Sequence, residues 1–332
     1  MSLVHRAAAA AAVTSVAVVG WALPASSQDD PATTPTGFVL VETEAGCELA
    51  VLRLESGELI DLPAAPSYEA CAVDLAVSAS STSGVVYGLA IGGGSEPGSL
   101  QAVPSPVLVT YSMDGTASTT PIVVGGGDWD SYPYEGGIAV SPTGTVYVHL
   151  ISEDPACLVE IDDSESSATA AAPSVCLFTV DPSTGVATPI GPFGFAELPF
   201  GGLSWCGGLV TTGVNEGLSW ATVSASTGAA TFGSALDVYP IGYDCDSHAG
   251  SPVYALGSSM KEKNSLGAFD AQLLTIDPAT GSATVVAPLS DPDADVLTMA
   301  VVPLPAPTPT STTTTSAPAA AQAAALTPAF TG

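Results

Sequence analysis

Apolar and polar residues alternate in short segments along most of the chain, and Gly, Pro, Asp or Ser residues end each segment. A period of two residues is typical of β-strands with one buried face, and no segment sustains the 3.6-residue period of an amphipathic helix. The strand-like segments begin at Phe38 and continue to about Pro303. The pattern therefore predicts one all-β domain over residues 37–303.

One hairpin pattern occurs twice almost unchanged, at residues 177–191 and 273–287. In each copy, an alternating strand leads into an Asp-Pro-x-Thr-Gly turn, and a second strand follows it. Proline sets φ at the second turn position, aspartate accepts hydrogen bonds from the turn backbone, and glycine supplies the positive φ. Weaker copies at residues 49–62, 108–124 and 218–232 bring the number of hairpins to five, with turn glycines Gly57, Gly115, Gly185, Gly228 and Gly281.

A second pair of strands lies between successive hairpins and is clearest at residues 137–150. Its fifth copy is divided between the two ends of the chain, because residues 299–303 match the first strand and residues 38–44 supply the second. Four strands per repeat predict a closed β-propeller of five blades, in which the N- and C-terminal strands pair within one blade. That pairing removes two open sheet edges. A ring of six or seven blades and a pair of β-sandwich domains are the alternatives.

The blade repeat, Leu-x-x-[Ile/Val]-Asp-Pro-x-Thr-Gly-x-x-Thr, resembles that of a broad group of secreted bacterial β-propeller proteins, mostly of unassigned function. The copies at 177–191 and 273–287 carry it most fully, and the weaker copies extend the resemblance to about residues 38–303. The copy at residues 224–228 lacks the Asp-Pro pair. The resemblance implies a propeller fold, an exported location and often a recognition role, and it implies no particular activity.

The two ends of the chain differ in composition from the repeats. Residues 1–27 have the basic start, the uncharged apolar run and the small residues before Gln28 that are typical of a cleaved secretory signal peptide. The apolar run is short for a membrane span, so an uncleaved N-terminal anchor is the alternative. Residues 28–36 are predicted to be a disordered lead, and residues 304–332, rich in Pro, Thr and Ala, a disordered tail.

The chain is strongly acidic, with 33 Asp and Glu against four Lys and Arg, a formal net charge of −29. Such a surface repels phosphate backbones and anionic lipids, which disfavours nucleic acid and membrane surfaces as partners. Solubility in a salty medium accounts for the charge without any function. A cation or a basic partner is the functional explanation, and an extracellular glycan or protein is the expected partner class.

The six cysteines, in a chain with a predicted export signal, indicate disulfide bonds rather than metal ligands. The residues alone allow fifteen pairings. Placed in the propeller, the sequential pairs lie on common faces, so we expect no free thiol and the bonds Cys47–Cys71, Cys157–Cys176 and Cys206–Cys245.

The strands of a blade are labelled A to D from the axis outward, and the connections between them differ in character. The C–D turns are short and repetitive, whereas the D–A and B–C connections are long and varied, so the face that carries the latter is expected to hold any binding site. Its acidic and aromatic residues are the candidate ligand contacts: Tyr68, Asp128, Trp129, Asp130, Tyr132, Tyr134, Glu135 and Tyr239. Aromatic rings that only fill the space between blades are the structural alternative.

Two carboxylates, Asp74 and Asp244, lie on predicted A strands, where they could face the axis. Some five-bladed propellers are glycoside hydrolases with paired carboxylates at the axis, and Glu135 or Asp130 would supply a further acid. The hydrolase is therefore the alternative to a non-catalytic binding or display module, which we favour.

A short acidic stretch near the end of the domain, Asp291, Asp293 and Asp295, resembles the start of a calcium loop. It lacks the downstream Gly and Glu of an EF-hand, and a solvated acidic turn explains it equally. A calcium-stabilised surface protein is thus a further alternative, and no other cofactor is expected.

Overall fold

The computed structural model describes residues 35–43, 46–62, 67–68, 71–78, 85–91, 106–112, 116–124, 136–163, 168–194, 199–214, 218–245, 252–259, 272–291 and 294–302. The predicted signal peptide, most of the lead and the tail lie outside these residues. The same holds for several candidate site residues, namely Asp128, Trp129, Asp130, Tyr132, Tyr134, Glu135 and Asp293.

Almost all of the regular structure within this part of the chain is β-strand. The first twelve strands are β1 (Thr36–Thr43), β2 (Gly46–Arg53), β3 (Leu59–Asp61), β4 (Ser67–Tyr68), β5 (Asp74–Val77), β6 (Val86–Ala90), β7 (Val107–Tyr111), β8 (Ala117–Pro121), β9 (Val123–Val124), β10 (Gly137–Val140), β11 (Val146–Ser152) and β12 (Val159–Asp163). The next twelve are β13 (Ala168–Ala172), β14 (Ser174–Val180), β15 (Val186–Pro192), β16 (Pro199–Trp205), β17 (Leu209–Val214), β18 (Leu218–Val223), β19 (Ala230–Ala235), β20 (Val238–Cys245), β21 (Val253–Ser259), β22 (Gln272–Ile276), β23 (Ala283–Pro288) and β24 (Val296–Val301). A single 3₁₀ turn spans Pro155–Cys157, and no helix in the described ranges is long and apolar enough to cross a membrane.

The strands form five antiparallel blades around one axis. Written from strand A to strand D, these are β5-β6-β7-β8, β10-β11-β14-β15, β16-β17-β18-β19, β20-β21-β22-β23 and β24-β1-β2-β3, which we number blades 1 to 5. The A strands contact one another in the ring order β5, β10, β16, β20, β24 and back to β5. The prediction of a five-bladed β-propeller is confirmed.

Blade 5 joins the two ends of the chain. Strand β1 pairs antiparallel with β24 on one side, where Phe38 lies opposite Ala300, and with β2 on the other, where Phe38 lies opposite Val51. Val39 and Leu40 at the centre of β1 are fully buried. The closure that the divided repeat predicts is therefore present.

Each junction between neighbouring blades holds its own apolar cluster. Between blades 1 and 2, for example, Leu89 and Leu108 of blade 1 pack with Ile138 and Phe178 of blade 2. The other four junctions are filled in the same way. Alternating strands explain this distribution, because a strand buried between two sheets offers apolar side chains to both.

The C–D turns contact the preceding blade as well as closing their own hairpins. Gly185 has a φ of +73°, and a Cβ at this position would overlap the carbonyl oxygen of Pro121 in blade 1. The Gly185 carbonyl also accepts a hydrogen bond of 2.9 Å from the Val123 amide. Gly57, Gly228 and Gly281 have positive φ values and abut the preceding blade in the same way, whereas Gly115 lies outside the described residues. Glycine is thus required both by the turn and by the blade junction.

The aspartates of the repeated turns act within the turn. Asp181 Oδ1 accepts hydrogen bonds from the Ser183 amide at 2.9 Å and the Ser183 hydroxyl at 2.6 Å, and these bonds hold the pKa of Asp181 below its usual value. Asp277 accepts from the Ala279 amide at 2.9 Å in the equivalent turn. The interpretation of the Asp-Pro-x-Thr-Gly segments as turns agrees with this geometry.

The three predicted disulfide bonds are present, and no cysteine is free. Cys47–Cys71 ties blade 5 to the connection that enters blade 1, and Cys206–Cys245 joins the ends of the A strands of blades 3 and 4. Cys157–Cys176 closes the base of an insertion that contains a separate hairpin of β12 and β13. This hairpin, and the short strands β4 and β9, are not indicated by the repeat.

Candidate functional site

The side chain of Asp74, the first residue of β5, lies at the centre of the ring and is 1% exposed. Its Oδ2 accepts hydrogen bonds from the amides of Ile138 in β10 and Leu203 in β16, both at 2.8 Å. Its Oδ1 accepts from the Leu75 amide at 3.0 Å and from the Thr298 hydroxyl in β24 at 3.2 Å. One carboxylate therefore connects the A strands of blades 1, 2, 3 and 5.

Gly202 makes room for this carboxylate and brings the remaining blade into the network. It lies in a β-bulge of β16 with a φ of +92°, and a Cβ there would overlap the carboxyl group of Asp74. Its carbonyl oxygen accepts hydrogen bonds of 2.7 Å from the hydroxyls of Thr211 and of Tyr243, which belongs to blade 4. We call Asp74, Gly202, Tyr243 and Thr298 the axial hub.

Burial raises the pKa of Asp74 well above its usual value, and the nearby charge of Asp244 raises it further. The amides of Ile138, Leu203 and Leu75 act in the opposite direction because they stabilise the carboxylate. A raised pKa is also a property of catalytic acids, so it does not distinguish a catalytic role from a structural one. The hydrogen bonds are more informative, because both carboxylate oxygens accept hydrogen bonds from main-chain amides of the fold.

Asp244 lies on the A strand β20 and is 8% exposed. Its Oδ2 accepts a 2.8 Å hydrogen bond from the amide of Val301, which joins blade 4 to blade 5. It also lines an axial cavity of about 10 Å³ together with residues such as Ala76, Val140 and Trp205. That volume is about the space of one water molecule, so a sugar ring does not fit beside Asp244 without movement of the inner strands.

His149 lies in β11 beside the axial hub and is 2% exposed. Its ring centroid is 5.4 Å from that of Phe193, and a Cβ on Gly137 would overlap its Nε2. Burial lowers the pKa of His149 to about 4, and the Gly202 carbonyl opposes this shift. No group in the described residues makes a well-formed hydrogen bond to Nε2. The imidazole is therefore neutral at physiological pH.

Two of the predicted ligand contacts, Tyr239 and Tyr68, belong to the described residues, and both lie on the face that carries the D–A and B–C connections. Tyr239 is 45% exposed in β20. Strand β4 places Tyr68 opposite Cys47 of β2, although only the backbone of Tyr68 is described. The aromatic and acidic stretch at residues 128–135 lies outside the described residues.

A groove of about 240 Å³ opens at blade 5 on the same face. It runs between strands β1 to β3 and the connection from β23 to β24, and its lining includes the acidic residues Glu48, Asp61 and Asp291. The remaining lining residues are mostly apolar: Val41, Thr43, Leu49, Ala50, Leu59, Leu62, Ser290 and Ala294. We call this the blade 5 groove.

The groove includes one of the three residues proposed for calcium, Asp291. Asp295 is exposed outside the lining, and its carbonyl accepts a 2.9 Å hydrogen bond from the Glu42 amide. Among the described residues, no three His, Cys, Asp or Glu residues are grouped as a metal site requires. Sequence reasoning missed Glu48 and Asp61, because nothing near them in the chain indicates the connection that packs beside them.

Comparisons with known proteins add little to this picture. No family model matches the chain, and no curated protein matches it. Among the solved structures that match is a protein of unknown function from Bacteroides caccae, with 11% identity and a TM-score of 0.39 over 81% of this chain and 99% of that chain. A similarity at this level carries no inference about function.

Proposed function

We propose that this protein is a secreted, non-catalytic binding or display module that presents its acidic and aromatic loop face to a glycan, a cation or a protein partner. The observation that carries the proposal is the bonding of Asp74. A catalytic acid or nucleophile must reach the bond that it cleaves, whereas the oxygens of Asp74 accept hydrogen bonds from three amides and a hydroxyl.

The surroundings of Asp244 support the same proposal. The second axial carboxylate lies against a cavity of about 10 Å³, too small for a substrate sugar. On the loop face, by contrast, Tyr239 is exposed and the blade 5 groove has about 240 Å³ of space. Loops on a rigid scaffold are where binding residues are usually found.

The disulfide bonds support an extracellular location. Three of them close within one chain, and such bonds persist in oxidising compartments. Together with the signal-peptide pattern of residues 1–27, they favour export.

The test measures cleavage and binding on the same protein. The mature protein is assayed for reducing-sugar release from xylan, arabinan, pectin and glucans, and for retention on glycan and extracellular-protein arrays. We expect no sugar release, and retention that is lost in the Trp129→Ala, Tyr132→Ala variant while the melting temperature is unchanged. Sugar release that a folded Asp244→Asn variant no longer shows would overturn the proposal in favour of the hydrolase.

A further inference from the structure

We propose that protonation of His149 switches the axial hub to a second set of hydrogen bonds, in which Nε2 donates to the Gly202 carbonyl and the Tyr243 hydroxyl moves from that carbonyl to Thr212 Oγ1. The inference does not depend on the proposed binding function, because it concerns the bonds of the axis and not a ligand. Three observations carry it: the enclosure of the His149 ring, the full use of the Gly202 oxygen and the position of Thr212.

The imidazole of His149 is enclosed against the backbone of the axial hub. The residue is 2% exposed, and Nε2 is shielded from solvent. A Cβ on Gly137 would overlap both Nε2 and the amide nitrogen of Leu203, and that amide donates to Asp74 Oδ2 at 2.8 Å. A proton on Nε2 must therefore find its acceptor within the hub.

The carbonyl of Gly202 is the acceptor that favours the protonated ring, against the effect of burial. Its oxygen already accepts hydrogen bonds of 2.7 Å from the hydroxyls of Thr211 and Tyr243, which use both of its lone pairs. An imidazolium N–H is a charge-assisted donor and binds such an oxygen more strongly than a neutral hydroxyl does. The protonated His149 therefore displaces one of the two hydroxyls.

Thr212 gives the displaced Tyr243 hydroxyl a new acceptor. It lies opposite Trp220 in the pairing of β17 with β18, and the Trp220 ring centroid is 5.1 Å from that of Tyr243. Burial raises the pKa of Tyr243, and the side chains of Thr211 and Thr212 oppose this rise. Thr212 Oγ1 nevertheless makes no well-formed hydrogen bond within the described residues. The donor and the acceptor that now lack partners, His149 Nε2 and Thr212 Oγ1, are the two that the second arrangement uses.

Few titratable groups face this switch from the surrounding strands. Asp74 lies on β5 and Tyr243 on β20, and Tyr147 precedes His149 by two residues on β11. Within the described residues, β10, β14 and β16 bring no titratable side chain to it except Cys176, which is held in a disulfide bond. Burial also raises the pKa of Asp74, so the protonation of His149 must be followed directly.

The location of the switch gives it a consequence for the whole domain. Asp74 and Gly137 are the first residues of their A strands, so the hub lies beneath the D–A connections of the loop face. A change of partner at Tyr243 alters how blade 4 is held against blade 3 at that point. Acid therefore acts on the support of the loop face through one buried histidine.

NMR spectroscopy of the mature protein, labelled with ¹⁵N-histidine and ¹³Cζ-tyrosine and titrated from neutral to acidic pH, tests the inference. The imidazole ¹⁵N shifts report the protonation of His149, which His149→Gln distinguishes from His248, the other histidine outside the predicted signal peptide. The ¹³Cζ shift reports the bonding of the Tyr243 hydroxyl. We expect both signals to change with one midpoint near pH 4, while the Val123 amide at the rim keeps its chemical shift. In His149→Gln, the Tyr243 signal should stay constant.

Variants of the competing groups give the sharper readout. Tyr243→Phe removes the competitor for the Gly202 carbonyl, so the titration midpoint of His149 should rise by about one pH unit. Thr212→Val removes the second acceptor, so the midpoint should fall. The control Tyr111→Phe removes a buried tyrosine hydroxyl at the junction of blades 5 and 1 and should leave the midpoint unchanged.

Two results would overturn the inference. The same His149 midpoint in the wild type, Tyr243→Phe and Thr212→Val would show that the histidine and the tyrosine do not compete for one oxygen. Loss of all folded signals, Val123 included, as His149 titrates would show that acid unfolds the propeller as a whole. Neither result bears on the proposed binding function, which is tested separately by retention on the arrays.

Discussion

The outer rim and the axis of the propeller are both held by polar contacts between blades, but the two regions are built differently. At the rim, a turn of a few consecutive residues, such as Asp181 to Gly185, folds locally and then contacts the blade before it. At the axis, three of the four donors to Asp74 lie 64, 129 and 224 residues away in the chain, and only the Leu75 amide is local. The rim thus repeats one local solution in the four turns that the structure describes, whereas the axis depends on a few unique residues that meet only in the folded ring.

The largest effect is expected at the axis, from Asp74→Ala. The change leaves the amides of Ile138 and Leu203 buried without their acceptor, and each such loss costs about 1–3 kcal/mol. We expect the free energy of unfolding, measured with denaturant, to fall by about 4 kcal/mol. Asp74→Asn keeps one acceptor oxygen and should cost clearly less. Equal and small losses in both variants would contradict the role of the axial hub.

The pH dependence of stability tests a buried group beside the axial hub, His149. Its pKa in the folded protein is about 4, below the value of 6.5 for an unperturbed histidine. Its contribution is therefore fully present above pH 6.5 and is lost as the pH falls towards 4, by about 3 kcal/mol. Asp74 acts in the opposite direction, because its raised pKa makes the folded state more stable as the pH falls.

Comparison with a His149→Gln variant separates the pH dependence of stability that is due to His149 from the part that is due to Asp74. Unfolding measured at neutral and at acidic pH should show a smaller loss on acidification in the variant than in the wild type. If both proteins lose the same stability on acidification, His149 does not titrate as its burial requires.

The rim offers a matched pair of glycines for the next prediction. Gly185 and Gly194 both have positive φ, +73° and +86°, but only a Cβ on Gly185 would meet the neighbouring blade. We expect Gly194→Ala to cost about 1 kcal/mol from backbone strain and Gly185→Ala about 2 kcal/mol more. Thermal unfolding measures both, and equal shifts would show that the turn does not contribute to the blade junction.

The smallest effect is expected from Tyr243→Phe, which removes one hydroxyl from the axial hub. The hydroxyl donates to the Gly202 carbonyl at 2.7 Å, and Thr211 donates to the same oxygen. Because that carbonyl keeps a partner, the loss should be about 1 kcal/mol. A loss as large as that of Asp74→Ala would place the centre of the network at Tyr243 instead.

The contrast between rim and axis also explains what the sequence could predict. The conformation of the repeated turn can be predicted from its own residues, because proline, glycine and aspartate within five positions determine it. Counting these turns predicts the blade number, the divided blade and, through the blade geometry, the disulfide pairs. The insertion hairpin of β12 and β13 is missed because it occurs once and has no repeat to identify it.

The candidate site could be predicted only in part, because its contacts are distant in the chain. The sequence predicts that Asp74 and Asp244 lie on A strands, and they do, yet their bonding depends on residues in other blades such as Leu203 and Val301. The blade 5 groove likewise needs Ser290 to contact Leu59, 231 residues away. Alternation and turn chemistry are local, so they cannot identify which distant backbone groups will meet a given carboxylate.

Hydrogen exchange at the amides of Ile138 and Leu203 tests the central claim most directly, because both donate to the same oxygen of Asp74 from different blades. In the wild type, both amides should exchange only through global unfolding. In Asp74→Ala, which removes that oxygen, both should exchange faster than the change in global stability accounts for, while the Val123 amide at the rim follows that change alone. If the protection of Ile138 and Leu203 relative to Val123 is unchanged, the claim that Asp74 is structural is contradicted. A catalytic role for the Asp74 carboxylate would then become the better explanation.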